Sequence, residues 1–186
     1  SLQGGRKRVY WSADERKETD MAKEKEVKTN VMRILEREKI PYRAYFYEHS
    51  EGAVDGKSVA EALHQDPGQV FKTLVTQGSS RDYHVFVIPV AEELNLKAAA
   101  RSVGEKAVEM IPVKEINRVT GYVRGGCSPI GMKKGFSTVV DRSCEKYPAI
   151  LFSAGKIGAQ VEVAPGDLLR LTGGKTAAVT GTPAKE

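Results

Sequence analysis

The fold is organised around Tyr83-His84-Val85-Phe86-Val87-Ile88-Pro89-Val90. A nearly continuous apolar run of this length, rich in β-branched and aromatic side chains, fits a central strand covered on both faces, whereas a strand with one wet face would alternate. Such a strand needs partners beside it and helices above and below it, and the flanking sequence offers both.

Just upstream, Val70-Phe71-Lys72-Thr73-Leu74 alternates like a second strand, with Val70, Lys72 and Leu74 on one face and Phe71, Thr73 and Val75 on the other. The turn Asp66-Pro67-Gly68 leads into it. Further back, Val27, Val31, Ile34 and Leu35 share one helical face that ends before Pro41. Tyr42 to Tyr47 reads as a strand, and Ser58-Val59-Ala60-Glu61 is a capping box opening a short helix through Leu63. Downstream, Asn95 caps a helix through Ser102 that stops near Gly104, Lys106 to Ile111 reads as a strand, and Pro112 suits the start of a helix ending near Gly121. Strand-like pieces follow at Tyr122-Val123, Thr138 to Val140, Ala149 to Ser153, Gln160 to Val163 and Ala177 to Thr180, with a helix from Pro165 to Leu171. Helices interleaved with strands predict an α/β (α+β) domain with one mixed sheet, curved or barrel-like, surrounded by helices.

At 186 residues the chain suits a single core. Residues 1–28 are polar, with little apolar periodicity, and read as a flexible N-terminal extension. Ser1 to Gly5 looks like a cloning remnant and Met21 like a native start. The folded domain is expected over 29–180, with a tail at 181–186. The net charge of +5 is a mild bias that suits a polyanionic partner without demanding one, because no long basic block occurs. No apolar run approaches a membrane span and no signal peptide is evident, so a cytoplasmic protein with no membrane partner is expected. Two cysteines, Cys127 and Cys144, and three scattered histidines make no metal-ligand pattern, so no metal and no cofactor are expected.

The chemistry concentrates at Gly125-Gly126-Cys127-Ser128-Pro129-Ile130-Gly131. Glycines around a Ser-Pro pair let backbone N–H groups approach a ligand closely, which is how a loop that holds an oxyanion or ester carbonyl is built. Lys72, on an otherwise apolar strand face, either snorkels to water from a sheet edge or points into a cleft where an anion waits. Tyr47, Lys72, the glycine loop and Ser153-Ala154-Gly155-Lys156 are the four polar elements that would converge on one site. Each has a bland alternative. Tyr47 also suits a half-buried core position, Lys156 a solvated turn, and Cys127 a small packing residue. Ser128 lacks the strand-to-helix elbow of a serine nucleophile and has no evident His and Asp partners.

Taken together, Val-Phe-Lys-Thr-Leu at 70–74, Thr-Gly-Tyr-Val-Arg-Gly-Gly-Cys-Ser-Pro-Ile-Gly at 120–131, Ser-Ala-Gly-Lys at 153–156 and Val-Ala-Pro-Gly-Asp-Leu at 163–168 resemble the YbaK family of free-standing aminoacyl-tRNA deacylases, related to the editing domain of bacterial prolyl-tRNA synthetases. The resemblance runs from about residue 29 to residue 180. It implies a barrel-like core with a cleft for the aminoacylated 3′ acceptor end of tRNA, and a prolyl-tRNA synthetase as a further partner. The Ser-Pro form of the loop is similar to the branch that clears Cys-tRNA(Pro) rather than alanine. That branch uses no protein nucleophile: the substrate's own thiol attacks its ester and leaves as a thiolactone. By resemblance, Lys72, Gly125, Gly126 and Ser128 carry the catalysis, and Tyr47, Cys127, Pro129, Ser153, Gly155 and Gln160 contact substrate. Gln160 is a departure, since some members carry an aspartate there. The competing readings are a non-catalytic tRNA- or synthetase-binding module, a deacylase for another amino acid such as alanine, and a hydrolase with Cys127 as nucleophile.

Overall fold

The computed structural model describes residues 8–10, 28–47, 59–61 and 63–181. In chain order its elements are β1 (Arg8–Tyr10), α1 (Asn30–Arg37), β2 (Arg43–Phe46), β3 (Phe71–Gly78), β4 (Tyr83–Pro89), α2 (Leu96–Ser102), β5 (Val108–Met110), α3 (Ile116–Thr120), β6 (Ser137–Asp141), β7 (Ile150–Ser153), β8 (Ala159–Val163), α4 (Pro165–Thr172) and β9 (Lys175–Ala177). Short 3-10 helices cover Val113–Glu115 and Arg142–Lys146, and residues 59–61 are helical. Ser58, and with it the expected capping box, lies outside the described residues, as do residues 182–186.

β4 is the middle strand of a mixed five-stranded sheet ordered β5-β3-β4-β6-β9. It runs antiparallel to β3 and parallel to β6, and every residue from His84 to Pro89 is buried. Its apolar run is continuous because both faces are covered. Val85 and Val87 join Phe71, Val140, Phe152 and Val161 in the main core, while Phe86 and Ile88 pack with Ala99 and Ala100 of α2 on the opposite face. Helix α1 contributes Val31, Met32 and Leu35 to the main core, and its first turn is capped by the Thr29 hydroxyl, which accepts from the Met32 N–H.

Three expectations need correction. The single mixed sheet is two sheets: an antiparallel four-stranded sheet, β1-β2-β8-β7, stands beside the five-stranded one. They meet through a parallel bridge between Val70 and Leu151, where the Leu151 N–H donates to the Gln69 carbonyl at 3.0 Å. The result is curved and barrel-like without closing, because periodicity identifies strands but not which edges pair. Tyr122-Val123 is a loop rather than a strand. The Tyr122 N–H is taken by the Thr120 hydroxyl and its phenol donates to the Ile130 carbonyl, so the residue anchors the glycine loop. The final strand is Lys175–Ala177, and Thr180 makes only an isolated bridge to Leu94. Within the N-terminal stretch, Arg8–Tyr10 pairs antiparallel with β2 at the edge of the four-stranded sheet.

Candidate active site

The ends of β3, β5, β7 and β8 and the loop after α3 enclose a cavity of about 380 Å³, within the size range of small-molecule sites. Lys72, Gly125, Cys127, Ser153 and Gln160 all line it, so five of the ten residues proposed from sequence meet at one place.

The glycine loop owes its shape to two backbone requirements. Gly125 has φ +83°, a conformation that side chains disfavour, and a Cβ on Gly126 would stand 3.2 Å from the Lys156 Cα and 3.3 Å from the Ile157 nitrogen. The loop is thereby pressed directly on the turn between β7 and β8. Ser153 locks it there: its hydroxyl donates to the Gly126 carbonyl at 3.0 Å and accepts from the Gly155 N–H at 3.1 Å. The Gly126 N–H is itself engaged by the Val123 carbonyl at 3.0 Å. Gly126 is therefore an anchored point of the loop, with both its N–H and its carbonyl engaged. Among the described residues, the Gly125, Cys127 and Ser128 amides make no backbone hydrogen bond, and of these three residues Gly125 and Cys127 line the cavity, which makes their amides the loop donors nearest a ligand there.

The remaining sequence candidates lie around the cavity rather than on its wall. Ser128 is fully buried, and its Oγ accepts a long bond from the Ile130 N–H at 3.4 Å. Pro129 is buried on the other side of the loop, against a separate hollow near Ile34 and Phe136. Tyr47 is buried in a cluster with Val59, Val70 and Val90, three residues whose side also faces the cavity, and its N–H donates to the Gly158 carbonyl. Gly155 serves the site through its N–H to Ser153.

The electrostatics separate positioning groups from reactive ones. Burial pushes the Cys127 thiol up to about 11, with a hydrogen bond to Thr120 pulling weakly the other way, so the thiol is protonated at neutral pH. Burial also drives the Tyr122 phenol up to about 12. Of the four buried polar side-chain atoms without a hydrogen-bond partner among the described residues, two belong to residues on the cavity wall, Gln160 Oε1 and Thr73 Oγ1; the others, His84 Nδ1 and Ser143 Oγ, do not line it. An unpaired buried polar atom costs about 1–3 kcal/mol, so the two on the cavity wall are groups that a bound ligand would satisfy. Thr73 and Arg124, which also lines the cavity, were not singled out in the sequence. Thr73 sits directly beside Lys72, but strand alternation assigns it to the opposite face, and Arg124 was overshadowed by the glycines that follow it.

The sequence matches the family described as "Aminoacyl-tRNA editing domain" over residues 50–171. The chain belongs to the aminoacyl-tRNA editing domain family. Within it, the chain is 48% identical over 161 residues to an Enterococcus faecalis protein provisionally named Cys-tRNA(Pro)/Cys-tRNA(Cys) deacylase EbsC, an alignment covering 86% of this chain and 98% of that protein. Among solved structures, a protein described provisionally as a trans-editing enzyme for prolyl tRNA synthetase is similar with TM-score 0.70 and 25% identity, covering 82% of this chain and 95% of that one. The hypothetical protein APE2540 shares the fold with TM-score 0.72 at 22% identity, covering 81% and 99%. The editing-domain fold and a cavity bearing the loop, the lysine and the unpaired polar atoms thus occur in one chain. Among the described residues no helix is long and apolar enough to cross a membrane.

Proposed function

We propose that this editing-domain protein acts in trans as an aminoacyl-tRNA deacylase that clears cysteine mischarged on tRNA(Pro), by a step in which the substrate supplies the nucleophile. The observation that carries the reading is the state of the protein's own candidate nucleophiles. The Cys127 thiol is held protonated by burial, the single Ser153 hydroxyl proton is committed to the Gly126 carbonyl, and the Ser128 hydroxyl is fully buried. The cavity instead offers groups that orient and polarise, which suits a substrate that carries its own thiol.

In this mechanism the ester carbonyl lies against the Gly125 and Cys127 amides, where hydrogen bonds strengthen as charge develops on its oxygen. Such a donor is worth about 3 kcal/mol in well-studied enzymes. The cysteinyl sulfur, as thiolate, attacks the carbonyl carbon and forms the C–S bond. The ester C–O bond then breaks, the ribose oxygen takes up a proton, and a cysteine thiolactone departs. Lys72 holds a phosphate or ribose oxygen of the terminal nucleotide, and Gln160 and Thr73 supply polar contacts to the aminoacyl group. Tyr47, Pro129 and Gly155 act through the packing of the walls. Ser128 shapes the loop from beneath. Uncharged tRNA is bound weakly through the mild positive charge, and a prolyl-tRNA synthetase supplies the choice of tRNA.

The test is a deacylation panel with Cys-, Ala-, Ser- and Pro-charged tRNA(Pro). Rapid clearance of the cysteine ester with survival of the other three is the expected result. Clearance of the alanine ester with survival of the cysteine ester would replace this reading by the alanine-clearing one.

A further inference from the structure

The cavity is lined both by the polar set Lys72, the glycine loop, Ser153 and Gln160 and by a contiguous apolar segment, Met110 at the close of β5 with Ile111, Val113 and Ile116 after it. Met110 and Val113 are 46% and 54% exposed, and they are two of the four large apolar side chains so exposed among the described residues. An apolar side chain alone in water needs no explanation, but two on the rim of one cavity mark a contact surface. This rim is held rigidly. The Ile111 N–H donates to the Val75 carbonyl at 3.1 Å, and Ile111, Val75 and Val119 form a buried cluster against which both Ile116 and Cys127 pack. The apolar segment therefore adjoins the glycine loop at Cys127.

An aminoacyl ester imposes a matching geometry on whatever binds it. The ester oxygen and the nucleobase are carried by the same ribose, so a carbonyl seated on the glycine loop brings a flat heterocycle within one sugar's width of it. We propose that Met110, Ile111, Val113 and Ile116 form the seat of the terminal nucleobase of the acceptor end. This rests on the deacylase reading of the same cavity. The seat presents methyl groups and a thioether to the faces of the base, and beyond that weakly accepting sulfur these four side chains carry no hydrogen-bonding group that would read its edge. It takes the base by burial, which also accounts for rim side chains left half in water until substrate covers them.

Met110→Ser and Val113→Ser, alone and together, remove the apolar rim at exposed positions where melting temperatures are expected to stay near wild type. Binding is measured by calorimetry with two non-hydrolysable ligands, an amide-linked cysteinyl-adenosine and the same compound with the base removed. The wild type is expected to bind the base-bearing ligand about tenfold tighter than the base-free one, and the double variant to lose that preference while keeping wild-type affinity for the base-free ligand. Wild-type affinity of the double variant for cysteinyl-adenosine, or an equal loss for both ligands, overturns the seat. The same proteins are assayed on Cys-tRNA(Pro). Base preference without hydrolysis by the wild type leaves the seat standing and removes the deacylase reading, whereas hydrolysis by the double variant with an unchanged KM removes the seat alone.

Discussion

The Ser153 hydroxyl donates to the Gly126 carbonyl at 3.0 Å, tying the end of β7 to a loop 27 residues earlier in the chain. The same oxygen accepts from the Gly155 N–H, so one side chain fixes both the glycine loop and the turn on which it rests. Its proton is spent on position, and the loop's remaining amides owe their direction to it.

Truncation of Ser153 to alanine leaves the Gly126 carbonyl and the Gly155 N–H without their partner, a loss of about 1–3 kcal/mol in stability. The loop donors lose alignment while the apolar walls stay in place. Ser153→Ala is therefore expected to melt lower and to lose kcat more than it raises KM on Cys-tRNA(Pro). Ser153→Thr, which keeps a hydroxyl, is expected to recover most of the lost kcat; no recovery would mean that the hydroxyl does not act through Gly126.

Lys72 sits in register with Ile88 and is only partly buried at the cavity wall. A role in orienting the terminal nucleotide predicts that Lys72→Ala changes the melting temperature little and nearly abolishes deacylation. Thermal melts and rates on one preparation check this together. A variant that deacylates at the wild-type rate would remove Lys72 from the site.

Much of this was legible because the decisive signals are local. The apolar run at 83–90 became the middle strand since nothing but two covered faces accommodates it, and Asn95 capped α2 as its side chain dictates, its oxygen accepting from the Ala98 N–H. Val70 and Leu151 were not legible as neighbours, because strand pairing at a seam depends on three-dimensional curvature that no window of sequence contains. At the site, the glycines and Lys72 announced themselves by breaking the local pattern. Ser128 and Tyr47 were named for their place in the loop and at a strand end, yet both are buried beside the cavity, since a polar side chain at such a place can equally brace a loop or fill a core. Met110 and Val113 carried no signal at all: an apolar residue becomes informative only once its exposure is known.

The two thiols, Cys144 in the core and Cys127 partly exposed at the cavity, give the fold an alkaline limit. Cys127 and Cys144 are both pushed up to about 11 by burial, from an ordinary thiol value of 9.0. A proton held more tightly by the folded than by the unfolded chain favours folding fully below the unfolded value, and that contribution is lost as pH rises from about 9 through about 11. Thermal melts are expected to drop as pH rises from about 9 to about 11, and to drop less in Cys127→Ala. Iodoacetamide at pH 7.5 is expected to leave native Cys127 largely unmodified, and rapid alkylation would contradict a thiol held neutral.

The nucleophile is the sharpest point. Serine and cysteine esters of tRNA(Pro) have nearly the same shape, and the cavity walls have little with which to separate oxygen from sulfur by size. A thiol near neutral pH is partly ionised and intrinsically far more nucleophilic than a hydroxyl, so reactivity separates the two if the substrate attacks itself. Cys-tRNA(Pro) is expected to be cleared while Ser-tRNA(Pro) survives. Cys127→Ala and Ser128→Ala are both expected to retain measurable activity, with Ser128→Ala slower because its buried hydroxyl underlies the turn to Ile130. Rates for the wild type and both variants on the two charged tRNAs decide the matter. Rapid clearance of the serine ester, or complete loss of activity in either variant at an unchanged melting temperature, would return a protein nucleophile to the mechanism.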